Sequence, residues 1–264
     1  MATIAANLQA VHERIASAAR NAGRRPGDVA LVAVSKTFPT ERIAQAHAAG
    51  QSAFGENFAQ EAVEKITKLA QLSLERRVAQ ARRENHRERS DAIIPSAGVA
   101  SPEGPLLLPL EWHFIGPIQS NKTGSIATHF QWVHSVEREK IAQRLNAARP
   151  DGLPPLDVCI QVNVSGEAAK SGVAPGEEVK LADAVSRLPR LRLRGLMAIP
   201  EPTADVALQR RRFAMLRGLK EGLAARGYLL DTLSMGMSDD LEAAIAEGST
   251  MVRVGTAIFG SRRK

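Results

Sequence analysis

The chain has 264 residues, with 35 Lys plus Arg against 28 Asp plus Glu and a net charge of +7. Its 44% hydrophobic and 24% charged residues exclude wholesale disorder and suit one large domain or two small ones. The single cysteine, Cys159, excludes an internal disulfide and a multi-cysteine metal site, and no apolar run nears the roughly 18 residues of a membrane span. The N-terminal segment reaches acidic Glu13 without a continuous apolar core, so it reads as an amphipathic helix rather than a secretory signal. A soluble, cytoplasmic protein is expected. The basic excess fits a solvated surface or an affinity for anions such as phosphates.

In chain order, short β-branched runs alternate with longer amphipathic ones. The strands are expected at 29–35, 52–55, 111–116, 131–134, 157–164, 193–199, 229–235 and 251–254. Thr40 is expected to cap a helix over 41–49, and a long helix follows over 57–80. A short helix is expected between Ser120 and Thr128, and Ser135 to cap 136–148. Pro175 is placed in the first turn of 176–187, a helix covers 204–225, and Ser238 caps 239–247. The count gives a single α/β domain over 1–264, a closed (β/α)8 barrel with an extra N-terminal helix. An open doubly wound sheet is the alternative, but no Gly-rich dinucleotide fingerprint follows the first strand. A charged helix extension and a Pro/Gly-rich loop at about 73–110 break the rhythm and read as an insertion.

Chemistry in such barrels sits at the C-terminal ends of the strands. The first strand ends in Ser35-Lys36-Thr37. Lys36 shares parity with Val32 and Val34, at the rim of an apolar interior. Desolvation there would lower its pKa and make the amine a nucleophile for a Schiff base, although a lysine snorkelling to solvent fits equally well. Gly236 and Gly255 permit close backbone approach, and Ser234, Ser238 and Thr256 supply hydroxyls near two helix starts. That arrangement suits a phosphate. Arg253, among Met251, Val252 and Val254, needs a buried partner, either a carboxylate or a cofactor ring nitrogen. Asn57 is a further rim polar. His113, His129 and His134 lack metal-ligand spacing and read as ordinary hydrogen-bonded histidines. Gly236-Met-Ser-Asp-Asp240 is not a hydrolase nucleophile elbow.

The chain resembles the pyridoxal phosphate (PLP) homeostasis protein family. The resemblance is carried by Leu31-Val-Ala-Val-Ser-Lys-Thr37, Phe54-Gly-Glu-Asn57 with Gln60-Glu61, Trp112-His-Phe-Ile-Gly116 and Gln119-Ser-Asn-Lys122. Further matches are Gln161-Val-Asn-Val-Ser165, Lys170-Ser-Gly172, Gly195-Leu-Met-Ala-Ile-Pro200, Leu233-Ser-Met-Gly-Met-Ser238 and Val252-Arg-Val-Gly-Thr-Ala-Ile-Phe-Gly260. The resemblance implies a barrel like the N-terminal domain of alanine racemase, with PLP on Lys36 as an internal aldimine. It places Arg253 at the pyridine nitrogen, Ser234, Ser238, Gly255 and Thr256 at the phosphate, and Asn57 and Met197 along the ring. Phe58, where a Tyr is common, Pro117 and the long insertion depart from the family pattern.

The implied function is PLP homeostasis: a carrier that supplies PLP to apo-enzymes without turning over amino acids. A PLP-dependent amino-acid racemase is the alternative. It would need a second acid/base opposite the lysine, by resemblance a tyrosine from a separate domain. The only tyrosine, Tyr228, precedes the seventh strand, at the opposite face. A nucleic-acid binder is disfavoured, because aromatics are 4% and the arginines alternate with Glu. The expected partners are therefore PLP and PLP-dependent apo-enzymes, with no metal, nucleic acid or membrane, and the chain is expected to be a monomer.

Overall fold

A computed structural model describes residues 2–91, 109–166 and 171–261. Eight parallel strands close into a barrel in chain order, with β8 pairing back to β1. They are β1 (Ala30–Val34), β2 (Ala53–Glu56), β3 (Glu111–Phe114), β4 (Trp132–Val136), β5 (Leu156–Gln161), β6 (Leu191–Met197), β7 (Thr232–Ser234) and β8 (Met251–Val254). Helix α1 (Ile4–Asn21) precedes the barrel. The connecting helices are α2 (Thr40–Ala48), α3 (Ala59–Asp91), α4 (Thr123–His129), α5 (Glu139–Ala148), α6 (Glu178–Ser186), α7 (Val206–Ala225) and α8 (Leu241–Ala246), and α9 (Thr256–Phe259) follows β8. This is the expected (β/α)8 barrel with its extra N-terminal helix.

The period of two along each strand divides the apolar residues between two cores. Val32, Trp132, Cys159, Met197 and Met251 pack together inside the barrel. Leu31, Ala33, Phe54, Val133, Val158, Leu196 and Val252 belong to the larger core under the helices. Helix α1 buries Ile4, Leu8, Val11 and Ile15, a three-to-four-residue stripe that packs on α8 and α9. Two glycines set close approaches. A Cβ at Gly195 would lie 1.8 Å from the Thr232 carbonyl oxygen, across the β6–β7 pair. One at Gly116 would lie 2.2 Å from the carbonyl oxygen of Asn57, so glycine lets the loop after β2 rest on the end of β3.

Several expected helix starts are corrected. Pro39 is the N-cap of α2, and the Thr40 hydroxyl instead meets Glu41 inside the first turn. Ser135 caps nothing: β4 runs on through it, its hydroxyl donates to Gly116 O at 2.5 Å, and α5 begins at Glu139. Pro175 precedes α6, because Gly176 has φ +100° and cannot be helical. Ser238 lies in a turn before α8, whose N-cap is Asp240; the Asp240 carboxylate takes the Met237 N–H at 2.5 Å. The expected strands 157–164, 193–199 and 229–235 end at Gln161, Met197 and Ser234. The helical half of the insertion is the outer part of α3, and the Pro/Gly-rich half, 92–108, lies outside the described residues.

Candidate functional site

Because all eight strands are parallel, their C-terminal ends open at one mouth. Every sequence-predicted site residue lies at or near that mouth. Lys36 is half-buried in the turn after β1. Asn57 follows β2, and its Oδ1 is buried with no partner among the described residues. Met197 ends β6 and is fully buried. Ser234 ends β7, also fully buried. Ser238 is half-buried in the turn before α8, and its carbonyl accepts an N–H from Arg14 of α1 at 3.0 Å. Arg253 on β8 is 3% exposed and pairs in register with Val32 of β1, four residues before Lys36. Gly255 and Thr256 lead from β8 into α9. Gly236 has φ +97°, which only glycine adopts without strain.

Among the described residues the buried Arg253 forms no salt bridge, and the Asp240 carboxylate acts on it only at a distance. It donates to Ser234 Oγ at 2.5 Å and to the Ala198 carbonyl at 2.9 Å. Ser234 Oγ lies 2.7 Å from His134 Nδ1, and His134 Nε2 lies 2.9 Å from His113 Nδ1. His113 Nε2 in turn lies 2.8 Å from Glu111 Oε1. Hydrogen-bond chemistry fixes the direction of this chain. With both histidines neutral, the Glu111 carboxylate, which only accepts, orders the chain from its end, so His134 Nδ1 is left as an acceptor and the Ser234 hydroxyl, itself accepting from Arg253, donates to it. His134 then donates from Nε2 to His113, which donates from Nε2 to the Glu111 carboxylate. Desolvation is what keeps both histidines neutral, and the chain then assigns their tautomers. Burial lowers both their pKa values, that of His134 strongly, aided by His113 and Arg253. Burial also pushes Arg253 down to about 10, which leaves it protonated at neutral pH.

Sequence reasoning missed this chain, although strand parity places His113 and His134 on the interior side. They are hydrogen-bonded histidines as expected, and no group of three or more His, Cys, Asp or Glu among the described residues could hold a metal. It also missed Glu56, fully buried on the outer side of β2, and Lys65 of α3, which pairs with it at 2.8 Å. Tyr228 lies just before β7, and its hydroxyl donates to Asp183 of α6, away from the Lys36 mouth. Cys159 is fully buried inside the barrel, and burial pushes its thiol pKa up.

A parallel barrel with a lysine just past the end of one strand and a buried arginine on the adjacent strand, both at its C-terminal mouth, defines a class. The sequence profile of the alanine racemase N-terminal domain matches residues 6–263. Alanine racemase from Corynebacterium glutamicum shares the fold, with TM-score 0.59 and 15% identity over 97% of this chain and 62% of its own. The pyridoxal phosphate homeostasis protein of Pseudomonas aeruginosa is 56% identical over 99% of this chain and 97% of its own length. The protein of the same name from Escherichia coli K12 is 48% identical over 99% and 98%. PipY of Synechococcus elongatus, solved with PLP bound, superposes with TM-score 0.70 at 32% identity, covering 93% of this chain and all of its own. The chain belongs to the pyridoxal phosphate homeostasis protein family. No described helix is long and apolar enough to cross a membrane.

Proposed function

We propose that this protein binds PLP at the mouth formed by Lys36, Asn57, Met197, Ser234, Ser238, Arg253, Gly255 and Thr256, and supplies it to apo-enzymes in the cytoplasm as a monomeric carrier. The observation that carries the reading is the placement of Lys36 in the turn after β1 beside the buried Arg253 of the adjacent strand β8. PLP brings an aldehyde that condenses with a primary amine, releasing water, and a phosphate. Lys36 is the amine. The orphaned Asn57 Oδ1 is an acceptor open to a ligand hydroxyl. The glycine-flanked turns after β7 and β8 suit the phosphate, with the hydroxyls of Ser238 and Thr256 and the Thr256 and Ala257 N–H groups at the start of α9, whose later amides bond to the Gly255 carbonyl. Ser234 spends its hydroxyl on Arg253 and His134, so it serves the site by orienting the guanidinium.

Two features favour carriage over catalysis. A protonated guanidinium at the ring nitrogen keeps that nitrogen unprotonated and weakens the ring as an electron sink. Racemisation also needs a proton donor or acceptor on each face of the α-carbon. Lys36 supplies one, while Tyr228 and Cys159 are both out of position to supply the other. The test runs PLP transfer to an apo-enzyme beside racemisation, decarboxylation and transamination assays on the common amino acids. Transfer without turnover is expected. Turnover of about 1 s⁻¹ or faster would replace the carrier reading by the enzyme one.

A further inference from the structure

Thr37, directly after Lys36, is the only non-glycine residue with positive φ among the described residues, at 67°. A β-branched side chain in the left-handed region is strained, and persists only where its surroundings over-determine it. Those surroundings come from helix α3. Glu61 and Lys65 are four residues apart on α3 and so share a face. The Glu61 carboxylate accepts the Thr37 N–H at 2.7 Å. Lys65, its side chain 8% exposed, reaches the other side of the turn and donates to the Ser35 carbonyl at 2.9 Å. Its ammonium also donates to Glu56 at 2.8 Å and forms an ion pair with Glu61 at 2.6 Å. The Ser35 hydroxyl closes the group on Glu56 at 2.7 Å. The backbone on both sides of Lys36 is thus tied to one helix, beneath the mouth.

We propose that Glu61 and Lys65 are positioning residues for Lys36, clamping Ser35 and Thr37 and holding the turn in a conformation that threonine does not keep by itself. This rests on the reading of Lys36 as the PLP-binding amine. Neither residue needs to touch the cofactor. Glu61 sets the turn through Thr37, and Lys65 couples that carboxylate to the end of β1 and to Glu56. Without Glu61 the Thr37 peptide loses its acceptor, and the strained turn relaxes toward a conformation that carries the Lys36 amine elsewhere.

The proposal separates from general destabilisation in a double-mutant cycle with Thr37→Gly. Glycine adopts φ near 67° without strain, so it removes the need for the clamp. Glu61→Ala is expected to slow the formation of the visible absorption band from PLP and PLP-free protein about tenfold, and Thr37→Gly in the same chain to restore it to within about twofold. Glu61→Gln keeps a carbonyl acceptor for the Thr37 N–H and is expected to fall between wild type and Glu61→Ala. A second readout needs no cofactor. Hydrogen exchange at the Thr37 amide, measured by NMR on the PLP-free protein, is expected to rise about tenfold in Glu61→Ala. Wild-type band formation in Glu61→Ala, unchanged Thr37 exchange, or a defect that Thr37→Gly leaves in place would each overturn the clamp. Failure of the underlying reading looks different: wild type itself would form no borohydride-sensitive band, while Thr37 exchange would still report on Glu61.

Discussion

Lys36→Ala is expected to abolish the visible absorption band of the PLP-loaded protein, leaving only cofactor held through its phosphate. The loss should be complete, because the buried amine below the same turn is already held by other groups. Lys65 lies below the same turn, but its ammonium is hydrogen-bonded to Ser35 and Glu56 and ion-paired with Glu61, and its side chain is 8% exposed. Lys36 itself is half-buried at the rim. Its truncation is therefore expected to cost only about 1 kcal/mol of stability, and circular dichroism and the urea midpoint should stay close to wild type. A variant that folds and keeps an unchanged visible band would remove Lys36 from the site.

The second large effect is acid lability with an onset near pH 6.5. His113 and His134 are fully buried and neutral in the folded protein, with pKa values below the usual histidine value. In the unfolded chain both take up protons as the pH falls through about 6.5. The unfolded state then binds more protons than the folded one, so stability rises with pH across this window and is lost on acidification. Each histidine contributes a slope approaching about 1.4 kcal/mol per pH unit below that point, so two pH units put at risk a large part of a typical domain's stability. Glu56 and Asp240 work in the opposite sense, since burial raises their pKa values and they take up protons while still folded. The check is urea unfolding between pH 7.5 and 5. The wild-type midpoint should fall steadily, and the slope should shrink by close to one proton in His134→Asn. A midpoint that is flat across this range would contradict the neutral histidine chain.

The barrel was legible because its signal is local. Runs such as Leu31–Val34 and Val158–Ile160 are short, β-branched and spaced by amphipathic helices, and a period of two sorts their residues between the inner and outer cores. Helix starts were less legible, because a capping side chain answers to tertiary neighbours. Ser135 looks like an N-cap in the sequence, but Gly116 of another strand end claims its hydroxyl. Ser238 looks like one too, but Asp240 reaches back to the Met237 amide first. The rim could be read from strand ends: Asn57 and Gly255 follow a strand directly, and Lys36 comes one residue later. What lies beneath the rim could not. The bond from His134 to Ser234 joins residues 100 positions apart. Glu56 and Lys65 are charged residues that a sequence assigns to solvent, and only the packing of α3 on β1 and β2 shows them buried as a pair. Thr37 carries no sequence sign of its left-handed backbone, since threonine is a poor choice there.

The central claim is that Lys36 is the amine that carries PLP. Borohydride reduction of the PLP-loaded wild-type protein fixes the cofactor wherever it is attached, and digestion with mass spectrometry then locates it. A single pyridoxyl group is expected on the peptide containing Lys36, together with loss of the visible band. A label on any other lysine, or a loaded protein that takes no label, would contradict it.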